Sequence, residues 1–170
     1  MYIIRTYTNT KCELEMAKTR LNLLMDRKEK LYCKYFPITS KIKEITVNGG
    51  EKDNDKMALY LHELYLIDVG TGMSLAGEID EQQETVNTLQ NYITTMESTL
   101  SKMSGIEYDL YYEIVVNGTQ ITKAVERIAE KYERDNQTIW KNHYRKIKKD
   151  IKTVSKYSES TVNLIVKYKM

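Results

Sequence analysis

Apolar side chains recur along most of this chain at alternating spacings of three and four, which places them on one face of a helix. Over residues 11–35 the repeat runs through Leu14, Ala17, Leu21, Leu24, Lys28, Leu31 and Tyr35. Pro37 then ends the helix, because it disfavours helical geometry at Phe36. A longer run covers 56–103, with Ala58, Leu61, Tyr65, Leu75, Ile79, Val86, Leu89, Ile93 and Met96 among its seam positions and acidic and amide residues on the other faces. As one unbroken helix it would be a rod of roughly 70 Å, and a sustained heptad with few caps reads as a coiled coil. Gly70 and Gly72 interrupt the run and mark a bend or a small-residue contact. Residues 1–10 read as a short extended lead-in. Residues 37–55 read as a connection with the turn signal Asn48-Gly49-Gly50, and Asp55 is placed to cap the helix that follows. The two periodic segments are expected to fold back as an antiparallel hairpin. A seam exposed on one chain wants a partner, so a homodimer is the expected state.

The pattern changes after Ser104-Gly105. Residues 106–116 are rich in tyrosine and β-branched residues, which leaves a strand open. Tyr108, Tyr111 or Tyr112, and Val115 fit a helix that stops at Asn117-Gly118. Residues 119–132 form another amphipathic helix through Ile121, Ala124 or Val125, Ile128 and Tyr132. Glu133-Arg134-Asp135-Asn136 makes a turn, and Asp135 or Asn136 can accept from the free amides of a final helix over 137–152. Its inward face is Ile139, His143 or Tyr144, Ile147 and Ile151. The expected organisation is all-α: a helical hairpin or coiled-coil dimerisation region over 1–104, a helix-turn-helix over 105–152, and a tail over 153–170. The apolar run Val162, Leu164, Ile165 and Val166 in that tail must pack somewhere.

Composition supports this reading. Hydrophobic residues make up 41% and charged residues 29%, a balance suited to a packed soluble domain. One proline and seven glycines leave few helix breakers. No apolar run approaches the ~20 residues of a membrane helix, and the first residues lack a secretory leader, so the expected compartment is the cytoplasm. Cys12 and Cys33 are far apart and read as buried or half-buried thiols. With only His62 and His143 beside them, no zinc site is expected. Gly70 to Gly77 superficially matches a phosphate loop, but it lacks the Gly-Lys-Ser/Thr ending and a preceding strand. No cofactor is expected. Nor is an enzyme, since no acid/base pair, nucleophile or metal cluster stands out.

Charge sharpens the picture at one end. Residues 137–156 carry seven basic side chains against one acid, whereas residues 1–136 carry 17 basic and 22 acidic groups. A basic helix on an otherwise acidic chain suggests a polyanionic partner. The spacing of the last two helices suits double-stranded DNA. A helix-turn-helix needs a small residue near the middle of its first helix and an apolar one ten positions on, and Ala129 and Ile139 meet this. Three positions depart from the pattern. Glu133 stands where glycine is common, Arg134 where an apolar residue is usual, and Asn142 at an inward position. Within this frame Asn136, Gln137, Trp140 and Lys141 face base edges, since Asn or Gln pairs with adenine and Lys with guanine. Thr138 holds a phosphate by its hydroxyl and amide. Tyr144, Arg145, Lys148, Lys149 and Lys152 contact backbone phosphates and supply salt-dependent affinity. Trp140 has a second reading, packing on the tyrosines of 108–112.

The stretches Asp109-Leu-Tyr-Tyr-Glu-Ile-Val-Val-Asn-Gly118, Ile121-Thr-Lys-Ala-Val-Glu-Arg-Ile-Ala-Glu130, Thr138-Ile-Trp-Lys141 and Lys146-Ile-Lys-Lys149 resemble region four of sigma factors. The closer likeness is to phage and prophage late-gene activators of the RinA or ArpU type, specific over 105–150. The resemblance implies promoter binding and contact with host RNA polymerase. A rival reading is a phage-encoded protein that inhibits a host enzyme or defence system, such as an anti-CRISPR or anti-regulator, and keeps the helix-turn-helix as scaffold or autoregulator.

Overall fold

The computed structural model describes residues 6–37 and 50–153. Every extended element among them is helical, and an isolated bridge between Ile67 and Ser74 is the one strand-like pairing. The helices are α1 (Tyr7–Tyr35), α2 (Gly50–Tyr65), α3 (Leu75–Ser101), α4 (Gly105–Tyr111), α5 (Ile121–Lys131) and α6, which begins as Asn136–Ile139. Two helices carry wide π-turns: α4 runs on into Tyr112–Val116, and α6 into Trp140–Tyr144 before regular helix resumes over 145–153. The all-α class expected from the periodicity is the class observed. The strand left open for 106–116 is absent, and Tyr7 to Thr10 are helical rather than extended. Residues 154–170 of the tail, with its apolar run, and most of the 37–55 connection, including Ile38, Ile42, Ile45 and Val47, lie outside the described residues.

The expected rod over 56–103 does not form. α2 stops at Tyr65, and residues 66–74 make a tight turn before α3 begins at Leu75. The Asp68 side chain holds that turn, accepting from the amide of Gly70 at 2.6 Å and more loosely from Thr71 at 3.4 Å. Gly72 sits at φ +69, in the left-handed region that glycine enters at little cost. The glycines marked as an interruption thus end one helix and admit another. α2 also starts earlier than expected, so Gly50 is helical and Asp55 lies inside the helix rather than at its cap. Its buried residues are Tyr60 and Leu64, one position before the expected Leu61 and Tyr65, both of which are exposed.

Cα packing divides the chain into two units, one of Met1–Glu15 with Asn87–Met170 and one of Met16–Val86. Ser104-Gly105, the expected domain boundary, is the junction of α3 and α4, with Gly105 at φ +59. The Met16–Val86 unit brings together the later part of α1, α2 and the start of α3. There the Gln82 amide donates to the Ala17 carbonyl at 3.1 Å, and Arg27 meets Glu78 at 3.5 Å, so α1 and α3 run antiparallel. The Tyr32 ring stacks on Phe36 at 4.8 Å and meets the Tyr60 ring edge-on at 5.5 Å. The Glu63 carboxylate accepts from the Lys34 ammonium at 2.6 Å and from the Tyr35 hydroxyl at 2.5 Å. The hydrogen bonds from Lys34 and then Tyr35 hold the Glu63 carboxyl below its ordinary value. The heptad of α1 weakens along this unit: Ala17 is buried, but Leu21, Leu24, Lys28, Leu31 and Tyr35 are only half-buried.

The other unit holds most of the core. The seam positions Leu89, Ile93 and Met96 of α3 are buried with Tyr92, alongside Thr10 and Leu14 of α1. Leu110, Tyr111, Ile114 and Val115 add a second row, and Ala124, Val125, Ile128, Ala129 and Ile139 a third. The Tyr111 hydroxyl is enclosed with no hydrogen-bonding geometry satisfied, and burial pushes its pKa far up, with Thr99 offsetting part of the effect. Gly118 closes the helix that ends in the π-turn. It has φ +69, and a Cβ there would lie 2.4 Å from the Thr6 methyl carbon, so both backbone angle and space demand glycine. Cys12, expected to be at least half-buried, is exposed, and Cys33 is half-buried.

Candidate nucleic-acid interface

The last two helices carry the candidate site, and local chemistry sets the turn between them. α5 ends at Lys131, and Glu133 takes φ +49, the left-handed geometry for which glycine is the usual choice. The turn closes with the Arg134 amide donating to the Ala129 carbonyl at 2.9 Å. Asp135 then caps α6, its carboxylate accepting from the Thr138 amide at 3.2 Å. A cap of this kind stabilises a helix start by about 1 kcal/mol. Ala129 and Ile139 are both buried, and α5 packs against the first turn of α6.

The π-turn decides which side of α6 faces inward. In a regular helix, Ile139 would be followed on the same face by Asn142 or His143 and then Lys146. The Arg145 amide instead reaches back five residues to the Trp140 carbonyl, which adds one residue to the turn. Tyr144, Ile147 and Ile151 therefore follow Ile139 into the core. Asn142, expected at an inward position, is exposed, and His143 is half-buried. The wide turn removes the clash between an amide side chain and an apolar core that the sequence presented.

Most of the expected DNA-facing residues lie on the outer side. Asn136, Gln137, Trp140, Lys141, Arg145, Lys148, Lys149 and Lys152 are exposed. After the π-turn, Arg145, Lys148, Lys149 and Lys152 follow helical spacing and share one stripe. Two members differ from expectation. Tyr144, expected at a phosphate and also as an alternative to His143 on the inward face, is 6% exposed, and burial raises its hydroxyl pKa, so it belongs to the core. Thr138 is half-buried with its amide already given to Asp135, which leaves the hydroxyl alone of the two expected phosphate donors. The Trp140 ring lies against Tyr144 at 4.6 Å, while Tyr108 and Tyr112 stack on each other at 6.0 Å. Trp140 thus finds its aromatic partner within its own helix, and it stays 38% exposed.

Three acids on α4 and its π-turn organise the cations around this face, an arrangement not apparent in the sequence. Glu107 accepts from Lys146 at 3.2 Å and meets His143 Nδ1 at 2.9 Å. Burial raises the Glu107 pKa, but the His143 hydrogen bond, its own backbone and Lys146 outweigh it and hold the carboxyl below its ordinary value. Asp109 accepts from Lys131 at 2.5 Å and from the Tyr132 hydroxyl at 2.8 Å. Glu113 accepts from the Thr119 hydroxyl at 2.8 Å and from Arg127 at 3.2 Å. Pairing therefore neutralises Arg127, Lys131 and Lys146. Lys141, Arg145, Lys148 and Lys149 have no carboxylate in salt-bridge reach among the described residues. These four cations are exposed on α6, and Lys123 of α5 and Arg134 of the turn are likewise exposed with no ion pair among the described residues.

Among the described residues no group of three or more His, Cys, Asp or Glu side chains could hold a metal, and no helix is long and apolar enough to cross a membrane. Comparisons with protein-family models, with characterised proteins and with solved structures found no match.

Proposed function

We propose that this protein is a sequence-specific regulator that binds double-stranded DNA through α6. The carrying observation is the sorting of charge around that helix. Acids on α4 and its π-turn take up Lys146, Arg127 and Lys131, while Lys141, Arg145, Lys148 and Lys149 are exposed with no ion pair among the described residues. A stripe of unpaired cations on a braced helix suits phosphate contact, and the exposed Asn136, Gln137 and Lys141 at its start suit base edges. The π-turn adds support, since such turns recur at functional sites. The resemblance to phage and prophage late-gene activators extends the reading to promoters and to host RNA polymerase.

Binding to labelled AT-rich duplexes, including the chain's own upstream DNA, tests this by fluorescence anisotropy across a salt series. Phosphate contacts by Arg145, Lys148 and Lys149 predict a log–log slope of about −2.7, and Arg145→Ala with Lys148→Ala should flatten it by about 2 while leaving the helical circular dichroism unchanged. A chain that binds no duplex at low salt sinks the reading. The inhibitor reading gains from a different feature, the apolar surface of the Met16–Val86 unit, and co-purification of a host protein without DNA binding would select it.

A further inference from the structure

The Met16–Val86 unit buries few apolar side chains and displays many. Among its described residues Ala17, Tyr60 and Leu64 are the buried apolar ones, whereas Leu59, Leu61, Tyr65, Leu66, Ile67 and Val69 of α2 and its turn are exposed. Val69 is fully exposed in a turn whose amides of Gly70 and Thr71 donate to the Asp68 carboxylate. The same turn borders a cleft of about 610 Å³ whose floor includes Leu31, Ile67 and Met73. Six exposed apolar side chains within eleven residues make this segment a candidate association site.

Charge identifies the occupant. Within this unit, α1 carries Lys18, Arg20, Arg27, Lys28, Lys30 and Lys34 against Asp26 and Glu29. The start of α3, over 75–86, carries Glu78, Asp80, Glu81 and Glu84 and no basic residue. Arg20, Arg27 and Lys34 are spaced by seven, which puts them on one face of α1, with Lys30 beside them. Arg27 pairs with Glu78 and Lys34 with Glu63, but Arg20, Lys30, Asp80 and Glu84 are exposed with no ion pair among the described residues. A polyanion would meet the acids of α3, and a polycation would meet α1. A twofold contact places the basic helix of each copy against the acidic helix of the other, so both rows are satisfied at once. We propose that this unit is a self-association surface, occupied by a second copy of this chain across the α2–α3 turn. The proposal does not depend on DNA binding.

Sedimentation equilibrium of the full chain tests it. The wild-type chain should run as a concentration-dependent dimer. Ile67→Asp with Val69→Asp should weaken association at least ~100-fold with helical content unchanged, as expected for apolar anchors at an interface centre. The charge argument has its own test. Arg20→Glu with Lys30→Glu, and separately Asp80→Lys with Glu84→Lys, should each weaken self-association, and an equimolar mixture of the two variants should restore the dimer mass. A wild-type monomer throughout the concentration range overturns the proposal and assigns the surface to another protein or to the chain's own remaining residues. A dimer that survives both turn substitutions, or a mixture that stays monomeric, overturns it as well.

Discussion

The two units of this chain use the same helical period to different ends. Among the described residues of the unit of 1–15 and 87–170, each helix buries periodic positions, through Leu89, Ile93 and Met96, then Leu110 and Ile114, then Ile128, Ile139 and Ile147. In the Met16–Val86 unit the heptad of α1 is only half-covered after Ala17, and α2 shows Leu61 and Tyr65 to solvent. A heptad states which residues share a face, but not whether anything covers that face. Covering it takes elements that return from elsewhere in the chain, and α4, α5 and α6 do this for one unit only.

The largest expected effect tests the packed unit. Leu110→Ala should cost about 2–5 kcal/mol in urea unfolding, because Leu110 is fully enclosed and the site cannot collapse freely. Val69→Ala on the other unit should stay within about 0.5 kcal/mol at concentrations where the chain is monomeric, since Val69 is 100% exposed. Equal costs at the two positions would erase the contrast. Next in size is Gly118→Ala. Its φ of +69 and the 2.4 Å approach to Thr6 should make it destabilising by about 1–3 kcal/mol, whereas glycine to alanine in an ordinary helix stabilises. A neutral result would show that the start of α1 does not pack there.

The smallest effect concerns pH. The Asp109 carboxyl is held below its ordinary value of 3.8, first by the Lys131 hydrogen bond and then by Tyr132, against a desolvation that raises it. A lowered folded-state value adds stability that is present above pH 3.8 and is lost as pH falls through the lowered value. Lys131 is raised by the same contact, so its share is complete below its ordinary 10.5 and fades only as pH rises through the raised value. Asp109→Asn should therefore reduce the loss of stability on acidification, by a fraction of about 1 kcal/mol because the pair is near the surface. An unchanged acid limb in thermal melts taken between pH 5 and 2 would show that the contact carries no stability.

Several features of the candidate site were legible in the sequence because they depend on neighbours in the chain. Asp135 as a cap needs only the free amide of Thr138 three residues on, and Ala129 and Ile139 need only the length of one turn between two amphipathic helices. The acids that sort the cations were not legible. Glu107 reaches His143 across 36 residues, and no local spacing announces that pair. The choice between His143 and Tyr144 for the inward face stayed open for a related reason, since a one-residue widening of a helix turn is set by what lies across from it.

By itself, the sequence determined the all-α class, the interruption at Gly70 and Gly72, the seam of α3 and the concentration of basic residues in the final helix. Each follows from period, backbone freedom or charge within a short window. The tertiary structure alone decided that Tyr144 rather than His143 turns inward while Asn142 turns out, and which cations are left unpaired. Those outcomes depend on competition among contacts between distant residues, where burial of a tyrosine ring outweighs a regular hydrogen-bond ladder and an acid on one helix neutralises a base on another.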